Sequence, residues 1–293
     1  MRIVFVGAVE FSLRALERLV ELDAEIVGVC TLLESKINAD HVDLSSFSEE
    51  HAIPSFYVND INSIETLSWI REKSPDVIFC FGWSKLIKQD LLNLAPLGVV
   101  GFHPAALPAN RGRHPIIWAL VLGLKKTAST FFFMDAGVDS GDILSQQEIL
   151  INEDDDARTL YNKIIQIALT QIIEFMPLLA NGSFKRIKQN EQLANVWRKR
   201  SRVDGKIDWR MSAQTIHNLV RGLTAPYPGA YFLVDGKEIK VWKTTVVMDV
   251  SNNIEAGKVL LQTNSKVVVK CGQDAIALLV TEPEFKPNVE SYL

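Results

Sequence analysis

Cysteine is scarce in this chain: Cys30, Cys80 and Cys271 lie far apart and no CxxC pair occurs. That argues against a disulfide framework and leaves buried, reduced thiols as the expectation. Tight His/Cys spacing is also missing, so nothing supports a metal shared by His103, His114 and Asp139, and none is expected. The start, MRIVFVGAVEFS, lacks the basic region, long apolar region and cleavage site of a signal peptide. No apolar run approaches the ~20 residues of a membrane span. A cytoplasmic protein without a membrane partner is the expectation. There is no excess of positive charge either, with 31 Lys and Arg against 35 Asp and Glu, and hence no general attraction for nucleic acid. Gly7-Ala8-Val9-Glu10-Phe11 does not continue as GxGxxG, which argues against a nicotinamide enzyme.

What is present is an ordinary globular composition, 47% hydrophobic and 23% charged, at a length that suits two domains. Residues 2–7 (RIVFVG) and 25–31 (EIVGVCT) are nearly continuous apolar runs, as in strands covered on both faces. Between them, Ser12 is placed as the cap of a helix carrying Leu13, Leu16, Leu19 and Val20. Runs at 53–58, 76–81 and 98–102 repeat the strand pattern, with a helix over 64–72. The expected core is α/β, a doubly wound, mostly parallel, Rossmann-like sheet whose ligands bind outside the carboxyl ends of its strands. A strand at 143–151 and a long helix over 156–179 follow. Leu160, Ile164, Ile167, Ile172 and Met176 form that helix's core face, and Asn181-Gly182 ends it. After a helix at 212–223, five strand-like runs and turns at Asp235-Gly236 and Asn264-Ser265 predict a smaller, β-rich, barrel-like (OB-like) domain. The boundaries read 1–182 for the first domain, 183–207 for a basic connector and 208–293 for the last.

The stretch from Val99 to Asp142 holds the residues fit for acid–base work. His103 ends a strand, and Asp135 and Asp139 sit on the loop DAGVDSGD. A histidine accepts a proton near neutral pH, and a neighbouring carboxylate fixes its tautomer. That equipment suits attack of an amine on a carbonyl carbon, with a separate donor for the oxyanion. Read alone, His103 is more often a satisfied structural residue; the bland reading of the aspartates, a loop chosen for its turn chemistry, is the minority one. Arg111-Gly112-Arg113-His114, ahead of a helix start at Pro115, makes an anion site as readily as a solvated loop. Trp83–Ile87 follows a strand and offers backbone and apolar groups to a flat heterocycle. Arg198-Lys199-Arg200 with Arg202 reads first as a solvated linker.

Taken in order, MRIVFVGAVEFSLRALERL, FHPAALPANRGRHPIIWAL, MDAGVDSGDIL, and KIDW with IHNLVRGLTAPYPGAYFLVDGKEIKVW resemble the formyltransferases that use 10-formyltetrahydrofolate. That family includes methionyl-tRNA formyltransferase and the sugar-nucleotide N-formyltransferases, and the resemblance runs through nearly the whole chain. It implies an enzyme with His103 as general base and Asp139 as the carboxylate that orients it. Trp83, Ser84, Lys85, Leu86 and Ile87, with Asp135, Ala136 and Val138, would surround the folate pterin. Pro104, Ala105, Arg111, Gly112, Arg113 and His114 would face the amine substrate. One departure stands out. The family has an asparagine two residues before the histidine, a donor to the developing oxyanion, and here that position is Gly101, with Asn110 in the wrong place to match it. Losing one such donor typically costs ~10²–10³ in rate.

The stretch LLESKINADHVDLSSFSEE is acidic where the tRNA enzymes carry a basic insertion. The implied acceptor is therefore the amine of a UDP- or dTDP-linked amino sugar, for lipopolysaccharide or another surface glycan, with no nucleic-acid partner and a homodimer as a family expectation. Methionyl-tRNA formylation, hydrolysis of formyl-folate, and a folate-binding relative with little turnover are the alternatives.

Overall fold

The computed structural model describes residues 1–35 and 38–293. The apolar runs form β1 (Arg2–Val6), β2 (Glu25–Thr31), β3 (Ser55–Tyr57), β4 (Val77–Cys80) and β5 (Val99–His103). Ile3–Val6 and Val77–Phe79 have no solvent contact, as the near-continuous apolar pattern requires. These strands run parallel in the order β3-β2-β1-β4-β5. The order reverses between β1 and β4, which is where such sheets leave a crevice at their carboxyl ends. After the short β6 (Arg111–Gly112), β7 (Lys126–Phe133) pairs antiparallel with β5, setting His103 opposite Thr130 and Gly101 opposite Phe132, and β8 (Ile143–Leu150) forms the edge.

The helices up to residue 180 are α1 (Glu10–Glu21), α2 (Ser45–Glu50), α3 (Ile64–Glu72), α4 (Gln89–Leu92), α5 (Pro115–Val121) and α6 (Ala157–Ala180). Ser12 is not the cap of α1. It lies in the first turn, wholly buried. Its hydroxyl donates to the Phe81 carbonyl (2.6 Å) and accepts from the N–H groups of Ala8 and Val9 (3.2 and 3.1 Å), tying the exit of β1 to that of β4. By length and composition α6 is apolar enough to cross a membrane. Its buried residues Leu160, Ile164, Ala168, Ile172, Phe175 and Leu179 recur every three or four positions, while Gln166, Thr170 and Glu174 are exposed, the pattern of a helix covering a core. Ile167 and Met176, expected in that core, are only partly buried.

The chain forms two compact units. One holds Met1–Gly112, Thr127–Ile149 and Asn162–Trp197, the other Arg113–Lys126, Leu150–Tyr161 and Arg198–Leu293. The linear boundaries at 182 and 207 do not coincide with them. Residues 183–197 belong with the first unit because Ile187 bridges to Ile143 and β9 (Val196–Trp197) pairs with β6. In the second unit, α7 (Ala213–Leu223) is capped by Ser212, whose hydroxyl accepts the Thr215 N–H. A five-stranded antiparallel sheet follows, made of β10 (Ala230–Val234), β11 (Lys237–Val247), β12 (Val259–Gln262), β13 (Val267–Lys270) and β14 (Ala275–Glu282) in the order β10-β11-β14-β13-β12. Ile216, Leu219 and Val220 of α7 share its core with Trp209, Phe232, Val241 and Ile276. Asp235 and Gly236, both at positive φ, make the two-residue turn of the first hairpin.

Candidate active site

β5 delivers His103 to its carboxyl end, where the residue is 5% exposed. Nε2 lies 2.8 Å from the Asn110 carbonyl oxygen. A carbonyl only accepts, so Nε2 carries a hydrogen. Nδ1 is left facing Asp139 Oδ2 at 3.6 Å, and the same oxygen accepts the Gly112 N–H at 2.8 Å. Gly112 has φ +102°, and a Cβ there would come 2.3 Å from the Trp197 carbonyl oxygen; a side chain would push its N–H off the carboxylate. A proton arriving at Nδ1 would turn the Asp139 contact into a charge-assisted hydrogen bond.

The Asp139 loop is held from within and from outside. Asp135 Oδ1 accepts the Gly137 N–H (2.9 Å) and the Ser140 hydroxyl (2.7 Å). Gln189 donates from Nε2 to the carbonyls of Asp139 (2.8 Å) and Gly141 (2.7 Å). Its Oε1 accepts from Arg111 Nε (3.2 Å) and Nη2 (2.8 Å), and Arg111 also forks onto Glu191 at 2.9 and 2.7 Å. This hydrogen bond holds the Glu191 carboxyl below its usual range. The expected contact of Arg111 with a substrate anion is therefore corrected: the guanidinium is buried and committed to Gln189 and Glu191.

Of the residues assigned to the pterin, Trp83 and Ile87 join Met134, Leu91, Leu92 and Val99 in one apolar cluster, which brings the segment after β4 beside the loop after β7. Among the described residues, Trp83 Nε1 is a buried donor without a partner. Ser84 Oγ donates to Asn38 Oδ1 (2.7 Å) and Lys85 Nζ to the Asn59 carbonyl (3.0 Å). Leu86 and Val138 are exposed. A cavity of about 570 Å³ is walled by Leu92, Pro96, Val99, Met134 and Ala136, and a neighbouring one of about 500 Å³ by Ser140, Gly141, Lys188 and Gln189. Asp135 and Arg186 line both. These volumes suit a small-molecule site. Arg186, whose guanidinium lies 3.6 Å from the Phe133 ring centroid, carries no signal in the sequence beyond the basic run around it.

On the acceptor side, the Pro104 carbonyl accepts from Thr127 Oγ1 (3.3 Å). Ala105 is wholly buried, with its carbonyl accepting from Thr130 Oγ1 (2.7 Å), so it shapes the loop from inside rather than facing a substrate. Arg113 and His114 belong to the second unit. Arg113 is exposed. His114 Nδ1 accepts the Arg200 N–H (3.2 Å), and burial, then the charges of Arg113, Arg200 and Lys199, push its pKa down. Arg200 and Arg198 lie 4.6 and 5.2 Å from the Trp118 ring centroid. Arg198 is paired with Asp204 and Arg202 with Glu238, but Arg200 is buried and donates from Nη2 to the Asp204 carbonyl (2.6 Å), so the run is not simply a solvated linker. Among the described residues no cluster of three or more His, Cys, Asp or Glu side chains could hold a metal ion.

At Gly101 a Cβ would meet Met134 Cγ at 2.8 Å, Met134 Sδ at 3.0 Å and Phe132 Cε1 at 3.2 Å. Met134 occupies the space that an asparagine side chain would need. Asn110 contributes its backbone instead, its carbonyl holding His103 and its N–H donating to Asn195 Oδ1 (2.8 Å). Gly101→Asn is expected to cost about 1–3 kcal/mol by overpacking, and adding Met134→Ala should recover part of that loss in urea unfolding. A Gly101→Asn protein as stable as the parent would show that Met134 is not the obstacle.

Residues 17–175 match the family model described as "Formyl transferase", and residues 199–291 that described as "Formyl transferase, C-terminal domain". The chain is 32% identical to the methionyl-tRNA formyltransferase of Caldanaerobacter subterraneus subsp. tengcongensis, over 100% of this chain and 96% of that protein. It is 29% identical to the bifunctional polymyxin resistance protein ArnA of Wigglesworthia glossinidia brevipalpis, over 95% of this chain and 42% of that one. Among solved structures, WlaRD, a sugar 3N-formyl transferase crystallised with dTDP and 5-N-formyl-THF, superposes with a TM-score of 0.72 at 18% identity, covering 97% of this chain and 99% of that chain.

Proposed function

The chain belongs to the formyl transferase family, whose chemistry is folate-dependent one-carbon transfer, and on that premise we propose that its acceptor is the amine of a nucleotide-linked amino sugar. The donor, 10-formyltetrahydrofolate, supplies a formyl carbon bonded to nitrogen N10. The cavity beside Met134 and Ala136, apolar on one side and lined by Gln89, Asn93, Asp135 and Arg186 elsewhere, with the buried Trp83 Nε1 on the adjoining cluster, would take its flat heterocycle. The amine attacks as the free base, and a new C–N bond forms as the bond to N10 breaks. His103 Nδ1 takes the proton the amine loses, Asp139 holds the charged ring, and the proton then passes to N10, leaving a formamide and tetrahydrofolate.

The acidic border of the site supports the sugar acceptor. Residues 32–50 carry five carboxylates, Glu34, Asp40, Asp43, Glu49 and Glu50, against one lysine, Lys36; Lys36 and Ile37 lie outside the described residues. This stretch is anchored at the carboxyl end of the parallel strands, with His41 Nδ1 donating to the Ala8 carbonyl (2.9 Å) and Asn38 bonded to Ser84. A tRNA backbone needs cations along its path, and this border offers carboxylates. The second reading, methionyl-tRNA formylation, rests on the full-length 32% identity to a protein of that name. Turnover on UDP- and dTDP-linked amino sugars and on charged initiator tRNA, each at low and high salt, separates the two. Sugar formylation with weak salt dependence is expected. Formylation of the tRNA alone, falling steeply with salt, would overturn the sugar reading in favour of the second.

A further inference from the structure

Gln189 belongs to none of the motifs read from the sequence and lies between the two segments matched by the family models, yet it makes more hydrogen bonds to the catalytic loops than any other side chain described above. We propose that Gln189 is a positioning residue for formyl transfer, holding the Asp139 loop against the Arg111–Gly112 strand so that the Asp139 carboxylate faces His103 Nδ1. The inference rests on the reading of this site as a formyl-transfer centre.

Both amide hydrogens of Gln189 are used on one side, on the carbonyls of Asp139 and Gly141, and its oxygen is used twice on the other, by Arg111. The residue is 5% exposed, so water is a poor substitute for any of these bonds. Asp139 itself sits at φ +50°, a left-handed conformation that aspartate adopts more readily than most residues, and the bridge fixes the loop in it. The opposite side is equally fixed. Glu191 grips the Arg111 guanidinium, and the Arg111 N–H donates to the Asn195 carbonyl at 3.0 Å. One side chain thus joins the loop bearing the carboxylate to the strand whose Gly112 N–H the carboxylate accepts. Only an amide of this length does both: a glutamate has no hydrogens to donate, and an asparagine is one methylene short.

Gln189→Glu keeps the size and the acceptor for Arg111 while removing both donors. Its kcat should fall roughly 10- to 100-fold, the scale of a small misplacement at a reacting centre, with KM for both substrates within about threefold of the parent. In an Asp139→Asn background the same change should lower kcat less than about twofold, because Gln189 acts through Asp139. An unchanged kcat, or the full loss again in the Asp139→Asn background, would overturn the proposal. Gln189→Leu, which removes both halves of the bridge at similar volume, carries the same test should the glutamate variant not fold. Nitrogen-15 spectra of His103 supply a readout without turnover. The Nδ1 resonance should move in the Gln189 variants, and a resonance identical to the parent's would also overturn it. If the parent formylates no acceptor, the functional reading fails on its own, and these spectra still decide what Gln189 positions.

Discussion

His103→Ala is expected to lower kcat by about 10²–10⁴-fold, the range for loss of a positioned general base, while the protein stays folded. The imidazole is held at Nε2 by the Asn110 carbonyl, with Nδ1 facing Asp139. No other described side chain shares that position, so the proton released by the attacking amine loses its acceptor. The structural cost is smaller. Alanine leaves the Asn110 carbonyl without a donor, a loss of about 1–3 kcal/mol if no water replaces it, and vacates one ring. Single-turnover formyl transfer together with thermal unfolding checks both halves. A variant turning over at the parent's rate would remove His103 from the mechanism.

Asp139→Asn is expected to reduce kcat by about 10²–10⁴-fold with little change in folding, on the scale of removing the carboxylate beside a catalytic histidine. Asparagine tolerates the left-handed backbone that Asp139 adopts at φ +50°, so the loop conformation is preserved and the effect isolates the charge. The amide can still accept the Gly112 N–H through its oxygen. That same oxygen faces His103 Nδ1, so the neutral amide leaves the ring without the negative charge that would hold it once it takes the substrate's proton. The expected signature is a large fall in kcat with KM nearly unchanged. A rate within about twofold of the parent would show that the carboxylate is not part of the proton path.

The parallel core was legible in the sequence because its central strands β1 and β4 are buried on both faces and read as unbroken apolar runs. The pairing of His103 with Asp139 was legible through the order of several long motifs. What stayed hidden was decided by partners distant in the chain. Ser12 looks like a helix cap, but a buried hydroxyl that ties Ala8 and Val9 to Phe81 presents the same residue type at the same spot. Arg111 looks like an anion ligand ahead of a helix; Gln189 and Glu191, which claim it, lie 78 and 80 residues downstream. Gly101 was visible as a departure, whereas the filling of its space by Met134 required three-dimensional packing. The grouping of residues 113–126 and 150–161 with the carboxy-terminal sheet is likewise a matter of contact rather than sequence order.

The central claim, formyl transfer to an amine with His103 as the base, is tested most directly by following the formyl carbon. The protein would be incubated with 10-formyltetrahydrofolate labelled with carbon-13 at the formyl group and with UDP- and dTDP-linked amino sugars, and the carbon spectrum read over time. The account predicts a formamide signal growing on one acceptor with the parent protein and absent with His103→Ala. Label appearing only in free formate, or a formamide growing equally fast with His103→Ala, would contradict it.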